Sequence, residues 1–334
     1  MEKFTRFIGV DLGGGRGKKT ALAVLERSDE GVTVTRLAPR AREVPLYDKA
    51  LVAAIRDLGS TALVCVDAPL TLPPCLRCPE AVCPGQDACG DAEVIAMRGL
   101  AAQALAARPP DPSRRDHRRG KPSITPYTQR ATDIYLRTRG LLARETLGQG
   151  MGPLTARAVH LVKALAPDFR LNDNLIEVYP RATLELSGFG EPYKKRVDRR
   201  IDILAALPDL AFGPGVWREE CRQSDHAFDA VLCAYTGYLR QRDGWSITPL
   251  VAAPVTAGLN DRAGEPNDSF DAGQPPSDGR AGEPKGNEHW GWIWVPPELP
   301  TATTAPATTQ ATQASAQEAG PSRADKAEQQ ASRR

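Results

Sequence analysis

No run of about 18 or more apolar residues occurs in the 334-residue chain, so no stretch reads as a membrane-spanning helix. Charge of one sign is also missing. Lys and Arg total 43 against 41 Asp and Glu, and a net charge of +2 leaves any affinity for a polyanion to local patches. No apolar leader stands at the start: Met1-Glu2-Lys3-Phe4-Thr5-Arg6 runs directly into a strand, and the expected location is cytoplasmic. The seven cysteines are an odd number, which without a leader argues against a disulfide framework. Cys65, Cys221 and Cys233 lie in apolar surroundings and read as buried thiols.

What is present, 41% hydrophobic and 25% charged residues, supports one core of about 250 residues. The chain turns on the segment from Phe7 to Leu25. Two β-forming apolar runs, Phe7 to Val10 and Ala21 to Leu25, flank a turn with glycines at 13, 14, 15 and 17 and cations at Arg16, Lys18 and Lys19. Asp11 closes the first run. A carboxylate at the end of a buried strand is costly without a compensating cation, so Asp11 is a site candidate. Two kinds of site fit: the phosphate loop of actin-like kinases and ATPases, and the metal-holding first-strand Asp of RNase H-like nucleases.

Gly31 to Leu37 alternates as a third strand, and Leu46, Leu51, Ile55 and Leu58 fall on one helical face before Gly59. The run Thr61 to Leu70 is continuously apolar, as in a strand buried on both faces, and it carries a second carboxylate, Asp67. Three strands, a helix and a buried parallel strand open both candidate folds, which set the ends of the first and fourth strands side by side. Asp11 and Asp67 are therefore expected to be neighbours. Ala68 and Pro69 follow Asp67, and proline offers a phosphate no backbone donor, so a bare carboxylate there suits a metal better.

Cys75, Cys78, Cys83 and Cys89 follow with C-x2-C-x4-C-x5-C spacing among prolines and a glycine. Four thiols so close together point to a structural ion, zinc ahead of an iron–sulfur cluster. A helix is expected from Asp91 to Ala107, then a basic loop over 108–121, where Arg and Lys outnumber Asp six to two. A longer helix, Thr128 to Leu147, carries Arg130, and a short strand around Leu175 to Arg181 carries Glu177, facing either solvent or the carboxylate cluster. Lys194 and Lys195 open a basic helix. In the last helix, Asp225 and Asp229 are four apart on one face, and the apolar residues after them bury Asp229, which then needs a positive partner.

Val10-Asp11-Leu12-Gly13, Val66-Asp67-Ala68-Pro69, Glu177-Val178-Tyr179-Pro180, Asp225-His226-Ala227-Phe228-Asp229-Ala230 and Gly291-Trp292-Ile293-Trp294-Val295-Pro296 together resemble the bacterial and archaeal family of unknown function numbered 429. That family is described as predicted nucleases of the RNase H fold. The acidic pattern is similar to that of RuvC-type resolvases, with Asp11, Asp67, Asp225 and Asp229 at matching places. The resemblance implies an α/β fold of the ribonuclease H/actin-like kind, with a central mixed five-stranded sheet flanked by helices. It also implies a nuclease acting on DNA or RNA through a carboxylate two-metal mechanism.

On that reading, Asp11, Asp67 and Asp229 hold Mg2+ or Mn2+, with Asp225 and Glu177 as further catalytic candidates. Arg16, Lys18, Arg130, Lys194 and Lys195 contact the nucleic-acid backbone, and Zn2+ or an iron–sulfur cluster sits on the four cysteines. The rival readings are an actin-like ATPase or kinase and a non-catalytic scaffold. Residues 1–255 are expected to form the domain, 256–288 a disordered insertion, 289–297 an aromatic segment docking on the core, and 298–334 a disordered low-complexity tail.

Overall fold

A computed structural model describes residues 4–14, 19–38, 45–106, 123–141, 143–190, 192–215, 218–245 and 293–295. Arg16 and Lys18, the basic loop 108–121, the insertion 256–288 and the tail 298–334 lie outside the described residues.

The opening hairpin forms as its two apolar runs dictate: β1 (Arg6–Asp11) pairs antiparallel with β2 (Ala21–Ser28), which pairs antiparallel with β3 (Gly31–Ala38). After helix α1 (Asp48–Arg56), β4 (Ala62–Asp67) enters parallel to β1. The helical turn α2 (Pro74–Arg77) and the helices α3 (Ala92–Ala106), α4 (Ala131–Thr138) and α5 (Gly152–Leu165) precede β5 (Leu175–Val178), which is parallel to β4. Helices α6 (Pro180–Leu186) and α7 (Val197–Ala206), strand β6 (Leu210–Phe212), helices α8 (Arg218–Gln223) and α9 (Asp225–Arg242), and strand β7 (Ile293–Trp294) complete the described elements.

The sheet order is β6-β3-β2-β1-β4-β5-β7, seven strands rather than the expected five. The two extra strands are parallel additions at opposite edges, three and two residues long, too short to show a periodicity in sequence. The long helix expected over Thr128 to Leu147 is cut to α4. Arg139 closes it, Gly140 takes a positive φ of 79°, and Leu141 N–H returns to the Leu136 carbonyl, a glycine-terminated stop inside an apparently helical pattern.

The strand period of two sorts the core into two layers. Phe7, Leu63 and Cys65 face the layer built on α9, whereas Ile8, Val10, Val64 and Val66 face the layer of α1 and α5. Helix α9 is buried without a break from Ala227 to Leu239, far more than one face, because it lies flat across β1. Gly9 makes that approach possible. A Cβ on it would stand 1.9 Å from the Ala230 carbonyl oxygen, and one on Gly237 would stand 2.3 Å from Cys65 Sγ.

Candidate functional site: a carboxylate cleft at the end of the sheet

The parity that packs the core also aims the acids. Asp11 continues the Phe7, Gly9 series and Asp67 the Leu63, Cys65 series, so both side chains belong to the face covered by α9. They are also direct partners in the β1–β4 register. Asp229 precedes Ala230, the residue seated on Gly9, which brings the helix carboxylate to the same end of the sheet. All three line one cleft of about 500 Å³, with Arg181, Tyr193, Lys194 and His226 on its walls.

Two of the three carboxylates are engaged by protein groups. Nδ1 of His226 lies 2.6 Å from Asp11 Oδ2, and that bond raises the imidazole's pKa above its ordinary value against the opposing effect of burial. On Asp229, Oδ1 accepts the Tyr193 hydroxyl at 2.6 Å, while Oδ2 is 3.4 Å from Lys194 Nζ. Burial is the largest influence on Asp229 and raises its pKa to about 6; Lys194 and the Tyr193 hydroxyl pull it down, and Asp11 pushes it up. The ammonium of Lys194 is held above its usual range by Asp229 and Asp67 although partial burial acts against the charge.

Asp67 differs from both. Among the described residues its carboxylate has no hydrogen bond or ion pair, although the Lys194 charge acts on it from nearby. Burial first, then the charges of Asp11 and Asp229, push its pKa well above the carboxylate range. An unpartnered carboxylate facing two others in a cleft is a donor set of hard oxygens with a deficit of positive charge, which suits Mg2+ or Mn2+. As the side chains stand, no group of three or more His, Cys, Asp and Glu among the described residues is arranged to hold a metal ion. As they stand, Asp11 is bonded to His226, and Asp229 to Tyr193 and Lys194.

Glu177 also lines the cleft, but from the other face of the sheet. Strand alternation puts it in register with Val66 rather than Asp67, on the opposite side from α9. There it accepts two hydrogen bonds from Arg130, Nη1 to Oε2 and Nη2 to Oε1, both 2.7 Å, and a third from the Leu70 N–H at 2.9 Å. Arg130 also reaches Asp133 at 3.1 Å and Thr71 at 3.2 Å, and both ends of the pair are almost wholly buried. Arg130, expected to touch substrate, lines the cleft with its guanidinium already bonded to Glu177, Asp133 and Thr71. Asp225 sits half-exposed in the first turn of α9, with Ser224 as N-cap accepting from Ala227 N–H, and is not among the residues lining the cleft. Lys194 lies at the cleft, and Lys195 lines an adjoining cavity.

Tyr193 and His226 were not candidates on sequence grounds. His226 sits between two acids of one helical turn, a signal that was there to read; Tyr193 comes from a loop, and nothing in its spacing marks it.

Cys75 lies within the helical turn α2 and Cys78 caps its end, while Cys83 and Cys89 follow in a segment without helix or strand. Cys78 and Cys83 are exposed, and Cys75 and Cys89 partly so. Arg98 Nη1 anchors the segment, donating to the carbonyls of Gln86, Asp87 and Cys89. The Cys75 thiol is pushed up by burial and then by the nearness of Cys83, Cys89 and Cys78.

No helix among the described residues is long and apolar enough to cross a membrane. No curated protein and no solved structure matches the chain. The model of a family described as "Protein of unknown function (DUF429)" matches residues 9–250, and to that family the chain belongs.

Proposed function

We propose that this protein is an RNase H-like, metal-dependent nuclease that hydrolyses phosphodiester bonds of DNA or RNA at the carboxylate cleft. The observation that carries the reading is the free Asp67, set in register beside Asp11 and facing Asp229, three carboxylates brought from distant parts of the chain to one cleft. The strand sequence supports it as well: an antiparallel trio, a helix and a strand joining β1 in parallel are the opening expected of that fold.

Asp11, Asp67 and Asp229 are the residues that would hold the divalent cation. Once bound, it supplies Lewis-acid polarisation of a phosphoryl oxygen and offsets the charge of the cluster. Tyr193 fixes the rotamer of Asp229 through one oxygen, and His226 does the same for Asp11. Lys194, whose head reaches both Asp229 and the open cleft, is placed to give a phosphate oxygen an ammonium donor. Arg181 on the wall adds positive charge that draws the backbone in without reading sequence. Glu177 contributes by holding the Arg130 guanidinium in the cleft wall, its own oxygens taken by Arg130 and the Leu70 N–H.

The test is a screen of labelled single- and double-stranded DNA and RNA with Mg2+ or Mn2+, comparing wild type with Asp67→Asn. Cleavage by the wild type that falls at least a hundredfold in the variant is expected. No cleavage of any substrate, or equal cleavage by both proteins, overturns the reading.

A further inference from the structure

The carboxylate cleft adjoins a second cavity of about 390 Å³, and the two share Arg181, Tyr193 and Lys194. Tyr193 lines both. Its hydroxyl reaches Asp229 on the cleft side, and the residue also lines the second cavity, whose apolar base is completed by buried Leu184 and half-buried Phe189. This base is held firmly, with the Phe189 N–H bonded to the Leu184 carbonyl at 2.8 Å. The rim is cationic: Arg181, Lys194 and Lys195 stand against Glu185, which is already taken by Arg181 Nε at 2.6 Å.

An aromatic and aliphatic base under a cationic rim selects a flat, apolar-faced ring that carries a negative group. The volume falls within the range of about 300–1,000 Å³ typical of small-ligand sites. We propose that this cavity takes one unstacked nucleobase of a single-stranded nucleic acid, whose adjoining phosphate enters the carboxylate cleft past Tyr193. The proposal rests on the nuclease reading and narrows its substrate. A strand already free of its complement enters without cost, whereas a duplex has to give up a stacked pair first. Phe189 is the stacking residue, and Lys195 the rim cation that meets the flanking backbone.

Fluorescence anisotropy with a short fluorescein-labelled oligothymidylate, against a duplex of equal length, tests this with EDTA present so that no strand is cut. The wild type is expected to bind the single strand about tenfold or more tightly than the duplex. Phe189→Ala lowers single-strand affinity about tenfold, Phe189→Trp keeps it, and Lys195→Ser lowers it less while flattening its salt dependence. Single-strand affinity unchanged in Phe189→Ala, or duplex bound as tightly by the wild type, overturns the proposal. Metal-dependent cleavage combined with Phe189-independent binding removes the base pocket and leaves the nuclease; Phe189-dependent binding without any cleavage supports the pocket and removes the nuclease.

Discussion

The Lys194 ammonium and the Asp229 carboxylate meet at 3.4 Å at the wall of the cleft, and each sets the other's charge state. Lys194 is one of the groups that pull the Asp229 pKa down, against burial and Asp11. Lys194→Met is therefore expected to push Asp229 further up and to move the pH midpoint of Mn2+ binding upward. Binding of Mn2+ followed by electron paramagnetic resonance across pH reads this directly; an unmoved midpoint contradicts it.

Burial of the cluster carries a stability cost with a definite sign. Asp229 rises from 3.8 to about 6, so between those values the native protein holds a proton that the unfolded chain has released. Stability of the metal-free protein attributable to this group accordingly falls as pH rises through the window from about 4 to 6, by up to about 3 kcal/mol. Below the window the group is protonated in both states and contributes nothing. Chemical denaturation of wild type and Asp229→Asn in EDTA checks this: the variant should lack that part of the slope, and parallel pH profiles would refute it.

Glu177 is expected to matter for folding rather than chemistry. Substituting Gln leaves the Arg130 guanidinium buried with Asp133 as its remaining carboxylate partner, which costs about 3 kcal/mol and lowers the melting temperature by several degrees. Mn2+ affinity, measured by titration calorimetry well below the melting temperature, should change little. A stable Glu177→Gln protein that has lost Mn2+ binding would return Glu177 to the metal site.

Beyond the helical turn that holds Cys75, the cysteine segment has neither helix nor strand to stiffen it; among the described residues no three of its thiols are arranged to hold a metal ion as they stand, but Cys75 feels the charge of the other three. Thiolate sulfur is a fitting donor for Zn2+. Protein purified from zinc-supplemented medium is expected to carry one Zn2+ per chain by elemental analysis, lost in the Cys78→Ser, Cys83→Ser double variant and unaffected by Asp67→Asn. Protein without zinc, or a double variant that retains it, overturns this.

The sheet frame and two of the three cleft acids were legible because they depend on local pattern. Apolar runs of strand length ending in Asp11 and Asp67, with the β-α-β order between them, suffice to set those residues side by side. Asp229 was legible through burial, since a helix apolar nearly all round must place a buried acid against something. The orientation of Glu177 was encoded too, in the alternation Leu175, Glu177 against Ile176, Val178, but its partner Arg130 is 47 residues away and only tertiary packing brings it there. Tyr193 was invisible for the same reason. Strand β6 owes its existence to a neighbour already in the sheet, and three residues carry no period of their own; β7 falls within the aromatic segment that the sequence sets against the core.

Calorimetric titration of Mn2+ into metal-free wild type and into Asp67→Asn tests the central claim most directly. The account predicts binding by the wild type and its loss in the variant, which itself folds at least as stably because a carboxyl whose ionisation burial and its acidic neighbours oppose has been removed. Absence of binding by the wild type, or equal binding by a well-folded Asp67→Asn protein, contradicts it.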